Sequence, residues 1–156
     1  MEVDWIRPSS REFIKALLDK YQVDLFIGSV HHVHAIPIDY DRKTYLDARE
    51  KVGGTDERLF EDYFDLQFDM LKALKPPIVG HFDLIRLLSD DPDGNLRQWD
   101  GVWKKALRNL DYIAAYRGII ELNSAALRKG MSEPYPQADI CKVNLEISIA
   151  ISACNS

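Results

Sequence analysis

Val23-Asp24-Leu25-Phe26-Ile27-Gly28-Ser29-Val30-His31 is the stretch that decides the fold. Its centre is apolar and too short for a helix, so it reads as a buried strand, and it ends on a histidine. Working outward, the same unit recurs. Ile78-Val79-Gly80 runs straight into His81, and Gly118-Ile119-Ile120-Glu121-Leu122-Asn123 finishes on polar residues. Segments of helical period lie between. Pro8, a capping Ser9 and Glu12 as the far arm of a capping box predict a helix over residues 10–21, with Phe13, Ala16, Leu17 and Tyr21 as its apolar stripe. Asp56 caps the next helix, whose stripe is Phe60, Tyr63, Phe64, Gln67, Leu71 and Leu74, and Lys75-Pro76-Pro77 breaks it. A third carries Val102, Trp103, Ala106, Leu107, Leu110, Ile113 and Ala114 on one face. Strands alternating with helices predict an α/β domain with a parallel sheet. Residues 35–55, holding Pro37, Asp39, Asp41, Gly53 and Gly54, read as a long loop with one weak helical turn. Residues 143–151 alternate as an amphipathic strand would.

Composition narrows the classes. The chain has 156 residues, 46% hydrophobic and 29% charged, which suits one compact domain. A net charge of −5 argues against binding nucleic acid through counterion release. The two cysteines, Cys141 and Cys154, lie close to the C-terminus, so no disulfide framework holds the body together. A reducing, cytoplasmic setting fits. Met1-Glu2-Val3-Asp4-Trp5 carries acid where a signal peptide needs base, and no apolar run approaches the ~20 residues of a membrane span. A soluble protein without membrane contact is expected.

In a parallel sheet or barrel the carboxyl ends of all strands converge on one face. His31, His81 and the Glu121/Asn123 pair are therefore expected to meet there, joined by Glu2 if Val3-Asp4-Trp5-Ile6 ends a strand. Imidazole and carboxylate suit Zn²⁺, Mn²⁺ or Fe²⁺ with positions left open for water. A carboxylate such as Glu2 can bridge two metals ~3.5–4 Å apart. The competing reading is that a strand-end histidine is a hydrogen-bonded structural residue, and spacing alone leaves both open. His32 should point away from His31, because side chains alternate along a strand. His34 returns to that face only if the strand breaks after Val33. Both read as structural or supporting residues. Arg128 and Lys129 either hold a phosphate or close a helix C-terminus with Gly130 as its stop. Asp39 and Asp41 either face a cationic substrate group or are solvated turn residues. Phe60, Tyr63 and Phe64 are core, and Trp99 and Trp103 pack.

Glu2-Val3-Asp4-Trp5-Ile6, Gly28-Ser29-Val30-His31-His32-Val33, Gly80-His81-Phe82-Asp83-Leu84-Ile85 and the segment Glu121–Gly130 resemble, in order, the strand-end motifs of histidinol-phosphatases of the polymerase-and-histidinol-phosphatase (PHP) family. Ile36-Pro37-Ile38-Asp39-Tyr40-Asp41 and Pro134-Tyr135-Pro136 resemble the fungal branch. The resemblance covers residues 1–142 and implies a partial distorted seven-stranded TIM-like β/α barrel. It implies metal-dependent hydrolysis of L-histidinol phosphate, a small phosphate monoester, to L-histidinol and phosphate in histidine biosynthesis. Two or three divalent ions (Zn, Mn or Fe) would serve the complete site. Glu2 matches the bridging carboxylate, His31 and His81 the motif histidines, all three as metal ligands, and Arg128 the phosphate-gripping arginine. The family's opening His-x-His and closing Asp-x-His pairs have no counterpart in these residues, so the expectation is a central portion with weakened metal binding. Residues 143–156 depart from the pattern and are expected to be a divergent tail, such as a retained intron or frameshift produces. Another PHP phosphoesterase and an inactive fragment are the alternatives.

Overall fold

A computed structural model describes residues 1–145. Four short strands form one parallel sheet in the order β1-β2-β5-β6: β1 is Glu2–Asp4, β2 Ile27–Ser29, β5 Ile78–Val79 and β6 Ile119–Ile120. Ile27, Ile78 and Ile119 stand level across the sheet, and Gly28, Val79 and Ile120 form the next row. Three residues of pairing to β1 are enough to set β2. The expected strand over 23–30 is therefore shorter at its start, and Leu25 there is largely exposed. Among the described residues the sheet is open, with β1 and β6 at its edges.

The longest helix, α3 (Asp56–Leu74), leads into β5 and packs on α4 (Asp100–Ala115). Its buried face holds Phe60, Tyr63, Phe64, Gln67 and Leu71, the stripe the sequence predicts. Val102, Ala106, Leu110 and Ile113 of α4 meet it. The buried amides answer one another: Asn109 Nδ2 donates to Phe64 O at 2.8 Å and to Gln67 Oε1 at 3.0 Å. Satisfying these groups lets polar side chains sit in the core at little cost. Trp99 packs edge-on against Phe60 with ring centroids 5.1 Å apart.

Some expectations are corrected. The cap of α3 is Thr55, whose Oγ1 accepts from Arg58 N, while Asp56 is buried and bound by Tyr45 and Arg49. Helix α1 does span Ser10–Tyr21, but Ser9 makes no side-chain cap and Ser10 Oγ instead accepts from the amides of Ile6 and Arg7. Its buried residue is Ile14; Phe13 and Tyr21 are 68% and 61% exposed. The buried face lies one position out of phase with the expected stripe, because Ile14 and Leu18 fit an i, i+4 face equally well. Residues 35–55 are not one loop. They hold the two-residue strand β4 (Ile36–Pro37), paired antiparallel to β3 (His32–Val33), and the helix α2 (Arg42–Lys51). Asp41 caps α2, accepting from Thr44 N at 2.7 Å and from its hydroxyl, and Tyr45 and Ala48 bury one side. Its sequence is too polar overall for periodicity to reveal it.

Residues 138–145 are helical, so the strand expected from 143 onward is not formed over 143–145. Ile140 is fully buried and Val143 packs against the main core, which favours a helical turn there over an alternating strand. The rest of the expected tail, 146–156, lies outside the described residues.

Candidate metal centre

His31 and His81 follow the carboxyl ends of β2 and β5, and Glu2, which opens β1 rather than ending a strand, reaches both with its side chain. Each offers one ligand atom, and all three atoms lie within 4.8 Å of one another. Glu2 Oε1 is 3.7 Å from His31 Nε2 and 3.6 Å from His81 Nδ1, and the two rings meet edge to face with centroids 5.2 Å apart. Each histidine follows its strand by two residues, so the parallel register brings positions 50 residues apart into one cluster.

Local structure holds them there. Gly80 lets the strands close up, since a Cβ at that position would stand 2.5 Å from Ser29 Oγ and 2.8 Å from Ile27 Cγ2. His81 itself has φ of 39°, a left-handed conformation that costs a non-glycine residue energy and tends to occur where a side chain must be aimed. Ser29 Oγ lies 3.3 Å from His81 Nδ1, and Glu121 Oε2 accepts from His81 N at 3.3 Å. Asn123 Nδ2 donates to the same Glu121 oxygen at 3.2 Å. Glu121 and Asn123 thus reach the cluster as supports around His81.

Asp4 belongs to the site as well. Its Oδ1 accepts from His31 N at 3.1 Å and lies 3.4 Å from His31 Nδ1, and its Oδ2 is 2.8 Å from His32 Nδ1. One carboxylate thus orients both histidines of the pair. Its position two residues after Glu2 on the same strand face was the available signal. His32 is a supporting neighbour of the cluster rather than part of it. His34 turns away altogether: His34 and Ala35 both have positive φ at the β3–β4 turn, and His34 Nε2 meets Asp62 Oδ2 at 2.7 Å. Arg128 lies at the end of the short helix α5 (Ala125–Arg128), exposed, with no ion pair among the described residues, and Lys129 and Gly130 (φ 91°) close the turn.

The charges are uneven. Burial works against a charged His31, but hydrogen bonding to Asp4 and the negative charges of Asp4, Asp39 and Glu2 outweigh it and raise its pKa. His81 moves the other way, because burial and the nearby His31 outweigh Glu2 and Glu121. Burial opposes ionisation of Asp4, yet its contacts with His31 and the charge of His32 keep its carboxyl low. One acceptor-rich wall and one readily neutral imidazole are what a divalent cation needs, since its ligands must be deprotonated.

Beneath the cluster sits a buried ion pair. Asp83 and Arg86 are 0% and 1% exposed, with Arg86 Nε 2.9 Å from Asp83 Oδ2. Arg86 also donates to Pro92 O at 2.9 Å and Pro134 O at 3.2 Å, and Asp83 accepts from Gln137 N at 2.9 Å. This pair ties the segment after His81 to the chain beyond residue 130, and an Asp three residues before an Arg is its only trace in the sequence.

Fold and site together define an α/β domain with a mixed histidine and carboxylate cluster at its strand ends. The model of the PHP domain matches residues 1–125, and the chain belongs to that family. It is 42% identical over 146 residues to a protein of Schizosaccharomyces pombe named probable histidinol-phosphatase, covering 93% of this chain and 48% of the relative. It is 32% identical over 165 residues to the histidinol-phosphatase of Saccharomyces cerevisiae, covering 92% and 49%. A probable histidinol-phosphatase of Deinococcus radiodurans is 27% identical over 150 residues, covering 96% and 52%. The chain spans about half the length of the curated relatives it matches. No helix among the described residues is long and apolar enough to cross a membrane.

Proposed function

We propose that this chain carries the central part of a cytoplasmic histidinol-phosphatase, which hydrolyses L-histidinol phosphate to L-histidinol and phosphate in histidine biosynthesis. The observation that carries this is the convergence of Glu2, His31 and His81 donor atoms within 4.8 Å in a chain of this family. The donor set fits a divalent ion: two half-buried imidazoles and an exposed carboxylate suit Zn²⁺, Mn²⁺ or Fe²⁺. Such an ion supplies Lewis acidity and lowers the pKa of water toward neutrality. The chain's own residues do the rest. Glu2, His31 and His81 hold the ion, Asp4 fixes the orientation of His31, and Glu121 and Ser29 hold His81. Arg128, without an ion pair among the described residues and following β6 at the same end of the sheet, is assigned to the substrate phosphate, whose charge its guanidinium matches in a two-pronged fashion.

The four parallel strands are read as one part of a distorted seven-stranded β/α barrel, with residues 1–142 as the domain proper. Exposed Leu25, whose carbonyl accepts from the Met1 amine beside β1, and exposed Ile119 and Leu122 at β6 support that reading, because apolar groups at both sheet edges suit further elements. Release of phosphate from L-histidinol phosphate with added Mn²⁺ or Zn²⁺, compared with His81→Ala, tests the assignment. The parent chain should release phosphate and the variant should lose at least about a hundredfold in rate, a ligand mattering no less than its supporting shell. Equal rates in both would remove His81 from the site.

A further inference from the structure

We infer that the cavity between the amino end of α1 and the carboxyl half of α3 is a binding site for a small organic carboxylate, on the face of β1 opposite the Glu2/His31/His81 cluster.

The cavity has a volume of about 440 Å³ and is bordered by Trp5, Pro8, Arg11, Asp69, Lys72 and Ala73, a size that holds a small molecule. Alternation along β1 places Trp5 there. Glu2 and Asp4 turn toward the histidines, so Val3 and Trp5 turn to the other side and are buried, at 6% and 2% exposed. None of the residues around the cavity takes part in the metal cluster.

The indole of Trp5 shows what the cavity lacks. Its Nε1 is buried and has no hydrogen-bond partner among the described residues. An indole N–H can only donate, and a buried donor without a partner is rare and costly, so it calls for an acceptor. The acid of the cavity does not serve. Asp69 Oδ1 lies 3.0 Å from Lys72 Nζ, and no hydrogen bond joins it to Trp5.

Charge selects the acceptor. Lys72 and Asp69 offset each other, while the Arg11 guanidinium is exposed with no hydrogen bond or ion pair among the described residues. One positive charge is left over. The helix adds to it, since Arg11 stands in the first turn of α1, Ser9 makes no side-chain cap there, and the amino end of a helix carries partial positive charge. Glu12, the acid of that turn, does not border the cavity. The Trp5 ring, Pro8 and Ala73 supply apolar wall for the rest of the ligand. A carboxylate with an apolar body matches one spare charge, one waiting N–H and such a wall. Inorganic phosphate, which carries nearly two charges near neutral pH and no apolar part, does not.

Titration of the isotopically labelled 156-residue chain with sodium benzoate, followed by nuclear magnetic resonance at the three tryptophan N–H groups, tests the site. The Trp5 signal, assigned by elimination with Trp99→Phe and Trp103→Phe, should move saturably while the other two stay in place. Arg11→Gln, a change at an exposed side chain, should weaken benzoate by about tenfold, the worth of one charge-assisted bond, and Arg11→Lys should keep part of the affinity. Benzamide, the neutral twin of benzoate, and inorganic phosphate should leave the Trp5 signal where it is. A Trp5 signal that benzoate does not move saturably, that moves only together with those of Trp99 and Trp103, that benzamide or phosphate moves equally, or that responds unchanged in Arg11→Gln overturns the inference.

Discussion

Replacing Arg86 with Met should be among the most damaging single changes in the molecule. The guanidinium is 1% exposed and its partner Asp83 is 0% exposed, so solvent screens neither. Removing Arg86 leaves a buried carboxylate without its counter-charge and takes away the bonds to Pro92 O and Pro134 O. Breaking a buried pair in this way costs about 3–5 kcal/mol, a large share of the about 5–15 kcal/mol that holds a domain together. With a urea dependence of about 2 kcal/mol per molar, the unfolding midpoint followed by circular dichroism should fall by about 2 M. The acidity of Asp83 gives the effect a pH signature. Burial raises its carboxyl above the ordinary 3.8 despite the pull of Arg86. The folded chain therefore binds that proton more tightly than the unfolded one. This contribution favours the fold below pH 3.8 and is lost as pH rises through the folded value. Without Arg86 the carboxyl should rise further, so the deficit of the variant against the parent should be smaller near pH 4.5 than at pH 7.5. In a double-mutant cycle, Asp83→Asn should relieve part of the loss, since Asn keeps an acceptor for Gln137 N and carries no charge. Additive losses, or a deficit independent of pH, would refute the account of Asp83 and Arg86 as a charge-compensated pair.

The raised pKa of His31 means that a metal must displace a proton from it. Affinity for Zn²⁺ should climb with pH by up to about tenfold per unit for as long as that one proton is displaced, and flatten only above the folded value, which lies above the ordinary 6.5; Asp4→Asn should move the flattening to lower pH, and an unmoved curve would show that Asp4 does not set it. In the metal-free chain the same group should stabilise the fold below 6.5 and cease to do so as pH rises through its folded value, readable as a falling melting temperature. On α1, Ile14→Ala should cost about 2–5 kcal/mol, whereas Phe13→Ser should change stability by no more than about 0.5 kcal/mol, and the reverse order in urea melts would restore the stripe expected from the sequence. Gly80→Ala should cost about 1–3 kcal/mol through overpacking and weaken metal binding alongside, because the methyl presses on Ser29, the neighbour of His81; unchanged metal affinity would show that this close approach does not aim the ring.

What could be read from the sequence and what could not differ by the range of the interactions concerned. Strand-end histidines were legible because in a parallel sheet a single topological rule, carboxyl ends on one face, applies to every strand at once. The buried stripes of α3 and α4 were legible because both helices are long and strongly periodic. Helix α2 was hidden because its stability comes from one cap and from Tyr45, whose hydroxyl donates to Asp56 at 2.8 Å, a contact no periodicity records. The phase of α1 was hidden because Phe13, Ile14, Leu17 and Leu18 lie side by side on one broad apolar arc, so only its neighbours decide which part of that arc is buried. Asp4 was missed for a similar reason: its role exists only once β1 lies beside β2 and Asp4 stands level with Ser29.

That last register has a chemical consequence. Pairing Glu2 with Ile27 and Asp4 with Ser29 puts two carboxylates of one strand on the same face, spaced by one pleat. Glu2 then stands within 3.7 Å of both cluster imidazoles, while Asp4 reaches the backbone and ring of His31 from the side. A slip of one residue would turn both acids to the opposite face and leave Val3, now buried, in the cluster. The same alternation that buries Val3 and Trp5 therefore sets the polarity of the site, so burial of the core and delivery of the carboxylates are a single choice of register. Any substitution that loosens β1 against β2 should cost metal affinity before it costs the fold, because the cluster depends on the register of that edge pairing and most of the core lies with α3 and α4.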